Sequence, residues 1–442
     1  MTPDTTRTGF KSRLNDVMQA LKQPTSWLLL GMGFSAGLPF LLVGGTLGFW
    51  LRSSGISLTV IGFLGWVSLI YGLKVVWAPW MDKVRLPFLY GWLGQRRSYM
   101  LLSQLGVGAG LSLMAMIGPF HLLAFAVAAL FVAFAAASQE IAIDAWRVEQ
   151  TENEADQALN PSFYAFGFRI AILMTDALLL VMSKRMGWPI SYQIMALAML
   201  IGIAVTLLSP RGRIETHIKT QAKSLKALII DPFISFFNAH KGTAGLILLT
   251  LALYRLPDYL IGPVAGPLYQ DTGLDQDTIA GMRATIGLWA SFVGIAAGGS
   301  CLLWLGVQRS FLLGALLGPL SNIGFACMAV SHGDPVVFGL TLVADNFSNG
   351  IAETALVAFM TQQTLNTTLG RDHVLTHYAL MYSVAAFTGK FLKGFSGWVV
   401  DLWVPDLGLF NAYAVFFSLT AAIGIPCMFL CWYMGRKTNA SG

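Results

Sequence analysis

Runs of about 20 apolar residues, the length that crosses the hydrocarbon of a bilayer, recur twelve times along this chain. They fall at 27–50, 57–81, 98–118, 121–146, 162–184, 188–208, 242–266, 278–300, 309–331, 335–360, 374–397 and 408–434. Hydrophobic residues fill 55% of 442 positions and charged residues 11%, where a soluble domain carries about 25% charged residues. Such a chain cannot cover a water-facing surface with polar groups, so its solvent is lipid. The expected fold is an all-α membrane protein of twelve transmembrane helices. The first 26 residues are polar, and no short apolar stretch with a small-residue cleavage site follows, so no cleaved signal peptide is expected.

The net charge of +6 does not point to nucleic acid. Most Lys and Arg sit in short loops between apolar runs, where they orient a membrane protein. With the N-terminus inside, 19 of the 28 basic residues fall on the cytoplasmic side, three (Arg52, Lys184, Arg185) outside, and six within spans. Both termini are therefore expected in the cytoplasm.

The expected organisation is a cytoplasmic tail (1–26), a six-helix bundle (27–208), a cytoplasmic linker (209–241), a second six-helix bundle (242–434) and a cytoplasmic tail (435–442). Within the linker, Leu225, Leu228, Ile229 and Phe233 recur at helical spacing among Lys219, Lys223 and Lys226, the pattern of a helix lying on the inner leaflet. A repeat supports the two halves. Trp92-Leu93-Gly94-Gln95-Arg96-Arg97-Ser98-Tyr99-Met100-Leu101-Leu102 matches Trp304-Leu305-Gly306-Val307-Gln308-Arg309-Ser310-Phe311-Leu312-Leu313-Gly314 at six of eleven positions, at a constant offset of 212. Each segment starts the third span of a six-span unit. Six is even, so both halves begin inside, which gives the parallel repeats of the major-facilitator arrangement.

A charge in the hydrocarbon costs several kcal/mol unless it faces protein or water. Here the charges follow a period of three. The third, sixth, ninth and twelfth spans have none in their interiors. The second, fourth, fifth, seventh, eighth, tenth and eleventh hold Lys74, Glu140 and Asp144, Arg169 and Asp176, Arg255 and Asp258, Arg283, Asp345 and Glu353, and Lys390 and Lys393. The third, sixth, ninth and twelfth spans are expected to face lipid and the others to wall a polar cavity. Lys74, Arg169 and Arg255 are the candidate cations for an anionic substrate, because Arg in particular presents a fork suited to carboxylate or phosphate.

Glu140 and Asp144 lie one turn apart on one face, and two carboxylates so placed repel. Either one of them carries the proton of a coupled carrier, or they are structural partners of Lys74 or Arg147. Asp258 and Glu353 are further candidate proton carriers. Tyr254-Arg255-Leu256-Pro257-Asp258, with prolines again at 263 and 267, marks a kinked seventh span. Arg96 and Arg97 are expected to dock near the cytoplasmic ends of the second and fourth spans, close to Asp82 or Asp144, when the carrier is open outward, as a conformation-dependent latch.

Other chemistries lack their motifs. The four cysteines have no paired loop spacing, so neither disulfides nor a zinc site is expected. There is no G-x-x-x-x-G-K-S/T and no H-E-x-x-H. Gly33-Phe34-Ser35-Ala36-Gly37 fits the hydrolase elbow, but it lies in the first span, where small-residue helix packing explains it better. No catalytic residue, metal or cofactor is expected.

Several motifs resemble AmpG-type muropeptide permeases. They are Gly33-Phe34-Ser35-Ala36-Gly37-Leu38-Pro39, Lys74-Val75-Val76-Trp77-Ala78-Pro79-Trp80-Met81-Asp82, Gly94-Gln95-Arg96-Arg97, Ser138-Gln139-Glu140-Ile141-Ala142-Ile143-Asp144-Ala145-Trp146 and Leu253-Tyr254-Arg255-Leu256-Pro257-Asp258. Glu140 stands where the family usually has Asp, and Arg255 where it usually has Lys. The resemblance implies a monomeric, proton-driven importer in the bacterial inner membrane. Its partners are anhydromuropeptide, protons and lipid, and it serves cell-wall recycling and β-lactamase induction. Acetyl-coenzyme A transporters share related motifs, so another organic anion stays open as substrate, with an intramembrane enzyme or sensor as a weaker rival. For a muropeptide, Asp345, Asn346, Asn349 and Gln139 suit amine, hydroxyl and acetamido groups. Trp77, Trp289, Tyr254 and Tyr378 are of the type that stacks on sugar faces.

Overall fold

A computed structural model describes residues 23–150, 154–211, 234, 236–238, 240, 242–365 and 374–440. Among them there are helices and turns and no strand. Nine helical stretches are long and apolar enough to cross a membrane. The remaining expected spans are helical too. Pro335–Leu365 is continuous but carries Asp345, Asn346, Asn349 and Glu353, and Val374–Leu392 runs through a tight turn into Ser396–Leu407. The span expected at 57–81 is a series of short pieces from Leu58 to Lys83. The expected surface helix of the linker lies outside the described residues.

Helix ends follow local chemistry. Gly94 and Gly306, equivalent in the repeat, both have positive φ (78° and 77°) and both precede a long helix, Gln95–Ile117 and Val307–Val330. Only glycine takes that backbone without strain, which accounts for its place in both copies. The seventh span breaks at Arg255, between Ala244–Tyr254 and Leu256–Asp271, with Pro257 in the first turn of the second piece. Proline has no N–H and its ring clashes with the carbonyl four residues back, so the kink expected from the sequence is present.

Intramembrane charges coincide with such irregularities. Lys74 opens a 3-10 turn and so does Lys393, while Asp176 lies in one π turn and Arg283 opens another. A π turn leaves the regular ladder at a point where a side chain can be re-aimed, and such turns recur at functional sites.

The chain divides into two compact units, Met1–Leu47 with Leu73–Ile218, and Gly48–Gly72 with Lys219–Gly442. In the first, Pro24–Leu42 crosses Glu154–Leu173 closely. A Cβ at Gly33 would strike the Tyr164 carbonyl, and one at Gly167 would strike that of Leu30. Small-residue packing is thus the role of the Gly33-to-Gly37 motif. A buried polar cluster joins four helices behind it. Gln139 Nε2 donates to Ser35 Oγ at 2.6 Å, Gln104 Nε2 to the same oxygen at 3.3 Å, and Thr206 Oγ1 to Gln104 Oε1 at 3.0 Å.

In the second unit the core stacks Tyr254 on Phe311 (centroids 4.3 Å) and Phe311 on Phe359 (4.1 Å). Residues 48–72, which the apolar runs place in the first bundle, pack here. Arg52 forks onto Asp271, Thr59 donates twice to Asp401 Oδ2 (2.7 Å each), and Trp66 Nε1 donates to the Phe391 carbonyl at 2.8 Å. The third, sixth, ninth and twelfth helices each show an exposed apolar stripe, through Leu105, Leu197, Leu320 and Phe429 for example.

Candidate transport site

The first unit brings Lys74 and Glu140 together, Nζ to Oε2 at 3.0 Å, on the interrupted helix and on Leu122–Glu149. The lysine side chain is 34% exposed and the glutamate 16%. The pair is therefore part-buried and still accessible. Trp77, one turn from Lys74, donates its Nε1 to Ser138 Oγ at 3.0 Å and packs on Phe134. That clasp fixes the helix interruption against the helix carrying Glu140.

Asp144 pairs with Arg147 at 3.1 Å and is 44% exposed, and the Arg147 guanidinium lies 4.9 Å from the Tyr164 ring centroid. The two carboxylates of the one-turn pair therefore each have a cation, and repulsion between them is offset. Arg169 is exposed.

Gln139 differs from its expected role. It is fully buried among Ser35 and its neighbours in the bundle interior. Helical phase puts it about 100° around the helix from Glu140, so one neighbour reaches the open face and the other the core. Tyr254 is likewise buried, ring against Phe311 and hydroxyl donating to the Ala352 carbonyl at 3.2 Å. Trp289 is 69% exposed in an apolar groove with Ile286, Val293 and Phe347.

The second unit holds a chain of charged and amide groups. Arg255 Nη1 lies 3.4 Å from Asp258 Oδ2 and donates to Asn349 Oδ1 at 3.1 Å, while Asn349 Nδ2 donates to Asp345 Oδ1 at 2.9 Å. Asp258 Oδ1 is buried with no hydrogen-bond partner among the described residues. Such an oxygen costs free energy until a proton, water or ligand group meets it. Asn346 is engaged with Ser291 Oγ and the Leu342 carbonyl, and Glu353 is exposed.

The expected latch takes a different form. Arg96 pairs with Glu149 at 2.9 Å, and Arg97 donates to the carbonyls of Thr206 (3.0 Å) and Leu207 (2.7 Å). Those carbonyls belong to the last turn of Trp188–Leu208, where no further N–H is left to meet them. Arg97 is thus a helix cap. The side chains of Asp82 and Tyr378 lie outside the described residues.

Two groups of polar residues escaped sequence reasoning. Arg52, Asp271 and Tyr413 form one, with Nε to both carboxylate oxygens (2.7 and 2.9 Å), Nη2 to Oδ2 (2.7 Å) and the tyrosine hydroxyl to Oδ2 (2.6 Å). The Ser35–Gln104–Gln139–Thr206 cluster is the other. A signal existed for the first: Asp271 and Arg52 are opposite charges at the ends of apolar runs on the same expected side.

Solved structures share the fold. The nucleoside transporter NupG matches with a TM-score of 0.70 at 16% identity, covering 94% of this chain and 100% of that one. A bacterial homologue of the human lysosomal transporter Spinster matches at 0.68 and 14%, covering 94% and 98%. No protein-family model matches the chain. The described residues thus have the major-facilitator fold, with helices long and apolar enough to cross a membrane many times.

Relatives narrow the class. The anhydromuropeptide permease of Escherichia coli strain K12 is 28% identical over 416 residues, 93% of this chain and 80% of the relative. A putative transporter AmpG 4 of Rickettsia conorii is 27% identical over 92% and 96%, and an uncharacterized protein of Haemophilus influenzae is 32% identical over 92% and 94%. By sequence the chain is thus similar to AmpG-type permeases over most of its length, and by fold to major-facilitator transporters.

Proposed function

We propose that this protein imports muropeptides, the N-acetylglucosamine–anhydro-N-acetylmuramic acid peptides of cell-wall turnover, by alternating access driven by the proton gradient. The Lys74–Glu140 pair carries the reading. A protonated Glu140 releases Lys74 to a carboxylate of the solute, and an ionised Glu140 takes the lysine back. Proton and anion then bind with positive linkage, typically worth about 1–3 kcal/mol. Separately, the Asp258–Arg255–Asn349–Asp345 chain offers carboxylate and amide groups suited to an amine or acetamido group. In a bacterial inner membrane, with both termini cytoplasmic, a monomer of this kind returns peptidoglycan fragments to the cell and supplies the signal for β-lactamase induction.

The test is uptake of labelled anhydromuropeptide into proteoliposomes, with and without an imposed proton gradient. Accumulation above the outside concentration only with an inward gradient is expected. Equal uptake in both conditions removes proton coupling. No uptake of this solute, with uptake of a nucleotide-linked acyl group, replaces the substrate.

A further inference from the structure

Arg309 is the repeat equivalent of Arg97, and the two have different surroundings. Arg97 caps the carbonyls at the end of Trp188–Leu208. In the second unit the neighbouring helix, Leu409–Ala440, runs on for two turns past Trp432, so its carbonyls there are taken by its own ladder. Gln308 Nε2 donates to the Cys431 carbonyl at 2.9 Å, which fixes the two helices side by side and sets Arg309 and Trp432 at one edge. Arg309 is left exposed, lining an apolar groove of about 370 Å³ with Leu312, Leu316, Phe429 and Trp432. The Arg436 guanidinium lies 3.9 Å from the centroid of the Trp432 ring, at the same edge. Phe429 is 60% exposed and Trp432 44%, so the groove opens away from the protein.

We propose that this groove binds one anionic phospholipid, with its phosphate between Arg309 and Arg436 and an acyl chain along Leu312, Leu316 and Phe429. Charge complementarity selects the occupant. The groove pairs a long apolar floor with two guanidiniums and a tryptophan at one end, the layout of a headgroup above a tail. Tryptophan prefers the depth of the headgroups, and basic pockets between transmembrane helices hold anionic headgroups. Guanidinium meets phosphate oxygens two at a time. A zwitterionic lipid brings its own cation to the same place and loses most of this attraction.

The experiment is native mass spectrometry of the full chain, delipidated in detergent and titrated with dioleoylphosphatidylglycerol or dioleoylphosphatidylcholine. One phosphatidylglycerol per chain is expected to stay bound at concentrations where phosphatidylcholine does not. R309Q and R436Q are each expected to weaken its retention about fivefold, the worth of one basic residue near an anionic surface, with phosphatidylcholine unchanged. L316W keeps both arginines, fills the groove and is expected to lose the lipid. Excess glycerol 3-phosphate is expected to leave it in place. Equal retention of the two lipids, unchanged retention in R309Q and R436Q, or displacement by glycerol 3-phosphate would each overturn the proposal. Thermal unfolding of each variant confirms that it is folded.

Discussion

Lys74 Nζ stands 3.0 Å from Glu140 Oε2, the lysine at a 3-10 turn in an interrupted helix and the glutamate inside a continuous one. The interruption matters to the pair. A turn that has already left the α-helical ladder moves with less loss of backbone hydrogen bonding than a turn inside a regular helix. The cation therefore sits on the more adaptable partner and the carboxylate on the more rigid one.

Glu140→Gln removes the charge and keeps the shape. The variant is expected to exchange labelled muropeptide across proteoliposomes at near the original rate while losing accumulation driven by the proton gradient. A coupling of about 1–3 kcal/mol corresponds to a change of about 5- to 150-fold in solute affinity between the two protonation states, and E140Q is expected to lose that pH dependence. A variant that still concentrates the solute assigns the proton to another carboxylate, with Asp258 and Asp345 first in line.

Lys74→Met keeps the length of the side chain and removes its cation. Hydrogen bonds to charged groups contribute about 1.5–3 kcal/mol, so the apparent KM for a carboxylate-bearing muropeptide is expected to rise about tenfold or more. An analogue with its carboxyls amidated is expected to be far less affected. Equal losses for the two solutes would place Lys74 in the fold and not in recognition.

Arg255→Gln leaves Asp258 without its paired guanidinium. Removing one partner of a buried pair costs about 3–5 kcal/mol, and an intramembrane site is held to the same rule. Unfolding in detergent is expected at a lower temperature for R255Q than for R255Q/D258N, where the orphaned carboxylate is also gone. If the double variant is the less stable of the two, Arg255 contributes by packing and not by pairing.

The helical architecture was legible because lipid imposes a repeating length on spanning helices. Lys74, Glu140 and Arg255 were legible for the same reason, since a charge inside an apolar run has few excuses. Gln139 and Tyr254 were not, because one residue's step around a helix separates an open face from a core, and a single apolar run does not reveal its own rotation. The capping role of Arg97 was not legible because its signal is a helix ending near Leu208, more than 100 positions away. Arg52 and Asp271 are 219 residues apart, and each alone reads as an ordinary charge at the end of a span.

That last pair yields the remaining prediction. Arg52 and Asp271 are 18% and 12% exposed, and Tyr413 adds a third donor to the same carboxylate. A bidentate, half-enclosed pair of this kind is stronger than a surface ion pair, whose worth is about 0–1 kcal/mol. Together with Thr59 on Asp401, it fastens residues 48–72 to Leu256–Asp271 and Ser396–Leu407. Asp271→Asn is expected to speed hydrogen exchange at the amides of 50–60 as well as around 271, because the whole short segment loses its strongest tie. Tyr413→Phe, which keeps the ion pair, is expected to produce a smaller change of the same kind. Exchange confined to the neighbourhood of residue 271 in D271N would mean that Thr59 and Trp66 hold the segment without Arg52. In that case Thr59→Val, not Arg52→Gln, becomes the variant that releases it.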